Sequence, residues 1–167
     1  MNRQFGVLIG KVESVEDPQG EGRVKVSFPF MGGNPQGYWA PVATLMSGGS
    51  RGAWMMPERE DEVLIAFEQG DVNHPYIVGF LHNGAHRPPE TNPKVRMLRS
   101  VNGHEIALND PSVAAGDTGG IRIEDAQGNI IELSNGSINI RSVGSITITA
   151  PNVTINGRPV AVIPSPI

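Results

Sequence analysis

From residue 128 to residue 159 the chain repeats itself every eight residues. Four rows lie end to end, Gly128 to Asn135, Gly136 to Val143, Gly144 to Pro151 and Asn152 to Pro159. Column one holds Gly128, Gly136 and Gly144, and column three holds Ile130, Ile138 and Ile146. Column five holds Ile140 and Ile148, while the outer rows drift by a residue to Ile131/Leu133 and Val153/Ile155. Each row reads as one short strand and one turn. A strand of that length is not stable alone, and no later element offers these isoleucines a cover. Copies of the same segment in other chains are the simplest cover, and three chains winding around one axis give each column a closed interior. The expected trimer core is Ile130, Ile138, Ile140, Ile146, Ile148, Val153 and Ile155. Glycine at column one lets the backbone turn with φ > 0 from one face of such a prism to the next. The alternate Ser, Thr, Asn and Arg side chains stay in water.

The rest of the chain is turn-dense. Glycine (21) and proline (14) are abundant, and only 18% of residues are charged, which argues against a helical bundle and for a β protein. Residues 5–83 hold five apolar-rich runs, Phe5–Val15, Gly22–Phe28, Tyr38–Ala43, Glu62–Phe67 and Tyr76–Leu81, separated by Gly/Pro/Asn clusters. In the second run Val24, Val26 and Phe28 share one face of a half-buried strand. Five strands in this length suggest a small closed sheet of the OB type, which removes most free edges. The three prolines of residues 83–93 read as an extended linker. The expected architecture is all-β: an OB-type five-stranded barrel at 1–84, a linker at 85–100, and an intertwined trimeric β-helix, a β-prism needle, at 101–167.

Several chemistries are disfavoured. The net charge of −4 and scattered basic residues make nucleic acid an unlikely partner, although an OB module that binds nucleic acid through Trp39, Trp54, Phe28, Phe30 and Tyr38 is the competing class. With no cysteine there is no disulfide framework or thiol nucleophile. No apolar run reaches the roughly 18 residues of a membrane span, and residues 1–10 lack a cleavable signal pattern, so assembly in the cytoplasm is expected. His82 and His86 have metal-ligand spacing but span a strand end and a linker, so loop roles are expected for them and no metal or cofactor. Glu58, Glu60, Asp61 and Glu62 read as a solvated strand entrance rather than a paired-carboxylate site, because neighbours on a strand face opposite ways. Ser47 and Ser50 belong to neither a nucleophile elbow nor a phosphate loop. Asn135-Gly-Ser137 and Asn152-Val-Thr154 are read as polar turns. No catalytic residue is assigned.

The ordered series Gly10-Lys-Val, Asp17-Pro-Gln-Gly20, Gly22-Arg-Val-Lys-Val26, Phe28-Pro29, Trp39-Ala-Pro-Val-Ala43, Pro57-Glu58, Asp61-Glu-Val-Leu-Ile-Ala-Phe67, Gly70-Asp71, Pro75-Tyr-Ile-Val-Gly79 and Leu81-His-Asn83 resembles the central spike proteins of contractile injection machines. These include phage baseplate assembly protein V and the VgrG proteins of type VI secretion. Glu60 stands where that family usually has a small residue such as glycine. The resemblance implies a short, non-enzymatic homotrimeric spike whose separate hub protein docks on the barrel, with no inserted hydrolase and no hub domain of its own. Hub contacts are expected at Trp39, Trp54 and the loops Gly32–Gln36 and Ser47–Arg51. Relatives that sharpen themselves carry an H-x-H iron site near the tip, and no histidine follows His104 here. The apolar end at Val160, Val162, Ile163 and Ile167 is therefore expected to be a platform for a PAAR-type tip protein. The spike would sit in the baseplate of a phage tail or tail-like particle and touch the target membrane only during puncture.

Overall fold

The computed structural model describes residues 3–28, 37–111 and 116–159. It divides into two units, Met1–Pro88 and Pro89–Ile167. In the first, β1 (Val7–Ser14), β2 (Val24–Ser27), β3 (Tyr38–Ala40), β6 (Glu62–Phe67) and β7 (Pro75–Leu81) form an antiparallel sheet in the order β3-β2-β1-β6-β7. The two ends of that order meet: Ile77 N–H donates to the Pro41 carbonyl at 2.9 Å and Ala43 N–H to the Ile77 carbonyl at 2.8 Å. The sheet thus closes on itself and its edges are satisfied. Period-two alternation fills the interior. In β6, Val63, Ile65 and Phe67 point inward, and they meet Val12, Val24, Val26, Phe28, Ala40 and Ile77 in one core. Phe28 packs against the rings of Tyr38 and Phe67 at 5.1 and 5.4 Å between centroids. The fold of this unit is the expected OB-type barrel.

Within this unit one element departs from the sequence expectation. Residues 47–52, read as a turn, build a two-stranded ribbon of β4 (Ser47–Gly48) and β5 (Arg51–Gly52). Ser50 takes a left-handed φ of 56°, and Ala53 N–H donates to the Met46 carbonyl at 2.9 Å.

The second unit is a meander of β8 (Val95–Arg99), β9 (Glu105–Asn109), β10 (Gly120–Glu124), β11 (Ile130–Ser134) and β12 (Ser137–Arg141), each paired antiparallel to the next. A two-residue pair, β13 (Thr154–Ile155) and β14 (Arg158–Pro159), follows. Strand β8 occupies positions that the sequence suggested were linker. Rows one and two of the octad repeat supply β11 and β12, and Asn135 (φ 48°) with Gly136 (φ 77°) makes the tight turn between them. Two consecutive left-handed residues are the signature of the hairpin turn that Asn-Gly favours. Row three carries no strand, and row four folds back on itself at Asn156-Gly157. Within one chain the rows are therefore hairpins and extended segments, with no β-helical turn among the described residues.

Candidate functional site

Directly paired residues of an antiparallel sheet project to the same face. The register therefore places Leu108, Ile121, Leu133 and Ile138 in one column of the second sheet, with Arg96 of β8 at its end paired to Asp110, and Leu98, Ile106, Ile123, Ile131 and Ile140 in the next. All nine are exposed in the single chain, Ile138 at 69% and Ile140 at 60%. The opposite face carries Met97, Ala107, Arg122, Glu132 and Asn139, and there Ala107 is buried and Arg122 and Glu132 are half-buried, while Asn139 is exposed. Arg122 donates to Glu124 at 2.6 Å, and both are half-buried while their neighbours Ile121 and Ile123 are bare. A sheet that exposes isoleucine and shelters its charges is inside out for a lone chain.

The expected core residues divide on this geometry. Ile138 and Ile140 lie on the bare face. Ile130 projects from the opposite face, between Glu124 and Arg141 in register, and is only 8% exposed. Its neighbour Ile131 takes the position that the repeat assigned to it, because a one-residue offset exchanges the two faces of a strand. Ile146, Ile148 and Ile155 lie beyond the sheet and are exposed, and Val153 is half-buried. Five members of the face, Leu98, Ile106, Leu108, Ile121 and Ile123, were missed because the octad begins only at Gly128. The alternations Glu105-Ile-Ala-Leu108 and Gly120-Ile-Arg-Ile123 were the available signal. Val160, Val162, Ile163 and Ile167 lie outside the described residues, as does the Gly32–Gln36 loop.

The barrel's two tryptophans have different settings. Trp39, on β3, is half-buried, with the Arg23 guanidinium 5.8 Å from its ring centroid. Arg23 is fixed in turn by Asp17, whose carboxylate accepts from Arg23 Nη2 at 2.8 Å and Nε at 3.1 Å. The same carboxylate accepts the backbone N–H groups of Gln19, Glu21 and Arg23. The Arg23 hydrogen bonds, helped by these backbone donors, hold the Asp17 carboxyl well below the usual carboxylate range. Trp54 is 72% exposed. Its indole lies against Gly22, where a Cβ would stand 2.6 Å from the ring. Trp54 and the β4–β5 ribbon line an open groove of about 920 Å³ that ends at Val78 and Phe80 on β7.

Charges near the barrel mouth are compensated. Lys11 pairs with Glu60 at 2.7 Å, an interaction that lowers the Glu60 pKa, and Lys25 lies 3.9 Å from Glu13. His86 Nδ1 lies 3.2 Å from Asp61, and His82 is exposed. Among the described residues no group of three or more His, Asp and Glu side chains could hold a metal ion. Phe28 and Tyr38 serve the core rather than a base-stacking surface.

A closed barrel joined to a sheet with a bare apolar face defines a structural module of a multichain β assembly. Comparison with known proteins agrees. Residues 8–82 match the type VI secretion system/phage-baseplate injector OB domain, and residues 94–160 match the phage baseplate V C-terminal trimerisation domain. The chain belongs to this baseplate V/VgrG family of spike proteins. It is similar to the actin cross-linking toxin VgrG1 of Vibrio cholerae, 32% identical over 94 residues, which are 50% of this chain and 9% of that protein. It is also similar to the type VI secretion system spike proteins VgrG2a and VgrG2b of Pseudomonas aeruginosa. Each is 28% identical over 106 residues, 57% of this chain and 13% and 10% of those proteins. The chain thus spans about a tenth of the length of these relatives.

Proposed function

We propose that the chain is the non-enzymatic central spike of a contractile injection baseplate, in which three copies close their bare sheet faces on one another and wind into a needle. The nine-residue apolar face carries this reading, and the trimerisation-domain match supports it. Burying a Leu or Ile side chain is worth roughly 1.5–3 kcal/mol, so nine partly covered side chains per chain strongly favour the closed assembly.

The barrel docks on a separate hub protein through the surface around Trp39. A tryptophan faced by an arginine whose guanidinium makes two hydrogen bonds to the Asp17 carboxylate, which also takes three backbone N–H groups of its loop, is the rigid aromatic anchor that interface centres favour. The apolar segment Gly157–Ile167, with Val160, Val162, Ile163 and Ile167, carries a PAAR-type tip protein. Two experiments test these assignments. Spikes with Trp39→Ala should fail to incorporate into particles while keeping trimer mass, and normal incorporation would overturn the hub assignment. Pull-down of the tip protein should succeed with the full chain and fail with a chain ending at Pro159, and equal recovery would remove the platform from the last residues.

A further inference from the structure

We infer that the groove around Trp54 is filled by the barrel of an adjacent copy of this chain, making a second, head-to-tail ring of contacts in addition to the sheet core. The inference rests on the trimer proposed above. Leu45 (94% exposed), Met46, Trp54, Met55, Val78 and Phe80 converge on one groove of about 920 Å³. Six bare large apolar side chains on one small barrel are a surface that asks for a cover. The ribbon flanked by Leu45, Met46, Trp54 and Met55 is built rather than loose. Its strands pair in register Ser47 with Gly52 and Gly48 with Arg51, and Thr44 Oγ1 donates to the Ala53 carbonyl at 2.8 Å. Gly22, at φ 74°, leaves the space in which the indole rests.

The connection to the trimerising sheet identifies the occupant. Only residues 89–94 separate the barrel unit from β8, and six residues reach at most about 20 Å. When the sheets associate, the other two barrels are tethered at an effective concentration on the order of millimolar, so a modest apolar contact between barrels is populated. A threefold ring needs two different patches, one on each side of the contact. The second is present. Phe5, Val7 and Ile9 lead into and along β1, and Tyr76 continues the strip on β7 by the register Val7–Ala66–Tyr76. Groove and strip are both free of unpaired buried polar side chains among the described residues.

Trp54 reports on the contact directly, since the chain has only two tryptophans. The Trp39→Phe chain keeps Trp54 as its single emitter, and acrylamide quenching is measured with sedimentation mass on the same sample. In the trimer Trp54 should be quenched about threefold less than in the Ile138→Asp/Ile140→Asp monomer. Adding Val7→Asp or, separately, Ile9→Lys should keep the trimer mass and restore monomer-level quenching. A trimer whose Trp54 is quenched as fully as the monomer's would overturn the inference while leaving the trimer intact. Shielding that appears only when the hub protein is added would likewise overturn it and assign the groove to the hub. A parent chain that sediments as a monomer would overturn the trimer reading itself, and the ring with it.

Discussion

Asp17 ties the first barrel loop to the strand that follows it. Its carboxylate takes three backbone N–H donors and both ends of the Arg23 fork, so the charged form is the one the fold uses. A pKa held below the ordinary value of 3.8 means stability that is present above that value and lost as the pH falls toward the folded pKa. Asp17→Asn should therefore lower the thermal midpoint of the barrel at neutral pH, and the gap from the parent should narrow as the pH is taken below 3.8; melting curves across pH 2 to 7 check this. Glu60 is the contrasting case. It sits at a left-handed φ of 77°, which side chains adopt only with strain. Its Lys11 partner is an exposed ion pair of the kind that adds little. Glu60→Gly should raise the thermal midpoint, most clearly at high salt. At the same scale, the two adjacent isoleucines at 130 and 131 show where sequence reading loses precision. Either could occupy the repeat column, and only cross-strand register tells which one faces outward.

At the scale of elements, the barrel strands were legible because a half-buried antiparallel strand alternates. Glu62–Phe67 was delimited residue for residue, and Tyr38–Ala40 and Pro75–Leu81 to within a few positions. The β4–β5 ribbon was not, since two-residue strands joined by Gly49-Ser50 have no periodicity to read. Strands β8 to β10 were obscured differently. They share the apolar alternation of β11 and β12 but not the eight-residue spacing, because their loops differ in length. The hairpin turn gives a test at this scale. Gly136 holds φ 77° with open space around it, so Gly136→Ala should cost about 1–2 kcal/mol through backbone strain alone. Gly144 shares the same repeat column but keeps an ordinary φ with no atom near its Cβ position, so Gly144→Ala should be near neutral. Equal losses in the thermal stability of the two variants would show that the turn chemistry is misassigned.

At the scale of the molecule, the two units differ in how much of their apolar surface they bury. The barrel encloses its own core, and its sheet edges meet. The second sheet does not, because the face lined with isoleucine and leucine is the exposed one. The need for partners was legible in the isoleucine repeat before any strand was placed. The extent of the face was not, since it depends on pairing between β10 and two neighbours separated from it by loops. Assembly is therefore part of the fold of the second unit rather than an addition to it. Native mass measurement of the parent chain beside Ile131→Asp and Ile140→Asp tests this most directly, since each variant sets like charges from three chains in one apolar interior. The predicted result is a parent at three times 17.8 kDa at micromolar concentration, with both variants at the mass of one chain and their barrels still folded. A parent at the mass of one chain, or variants that keep the full trimer mass, would contradict it.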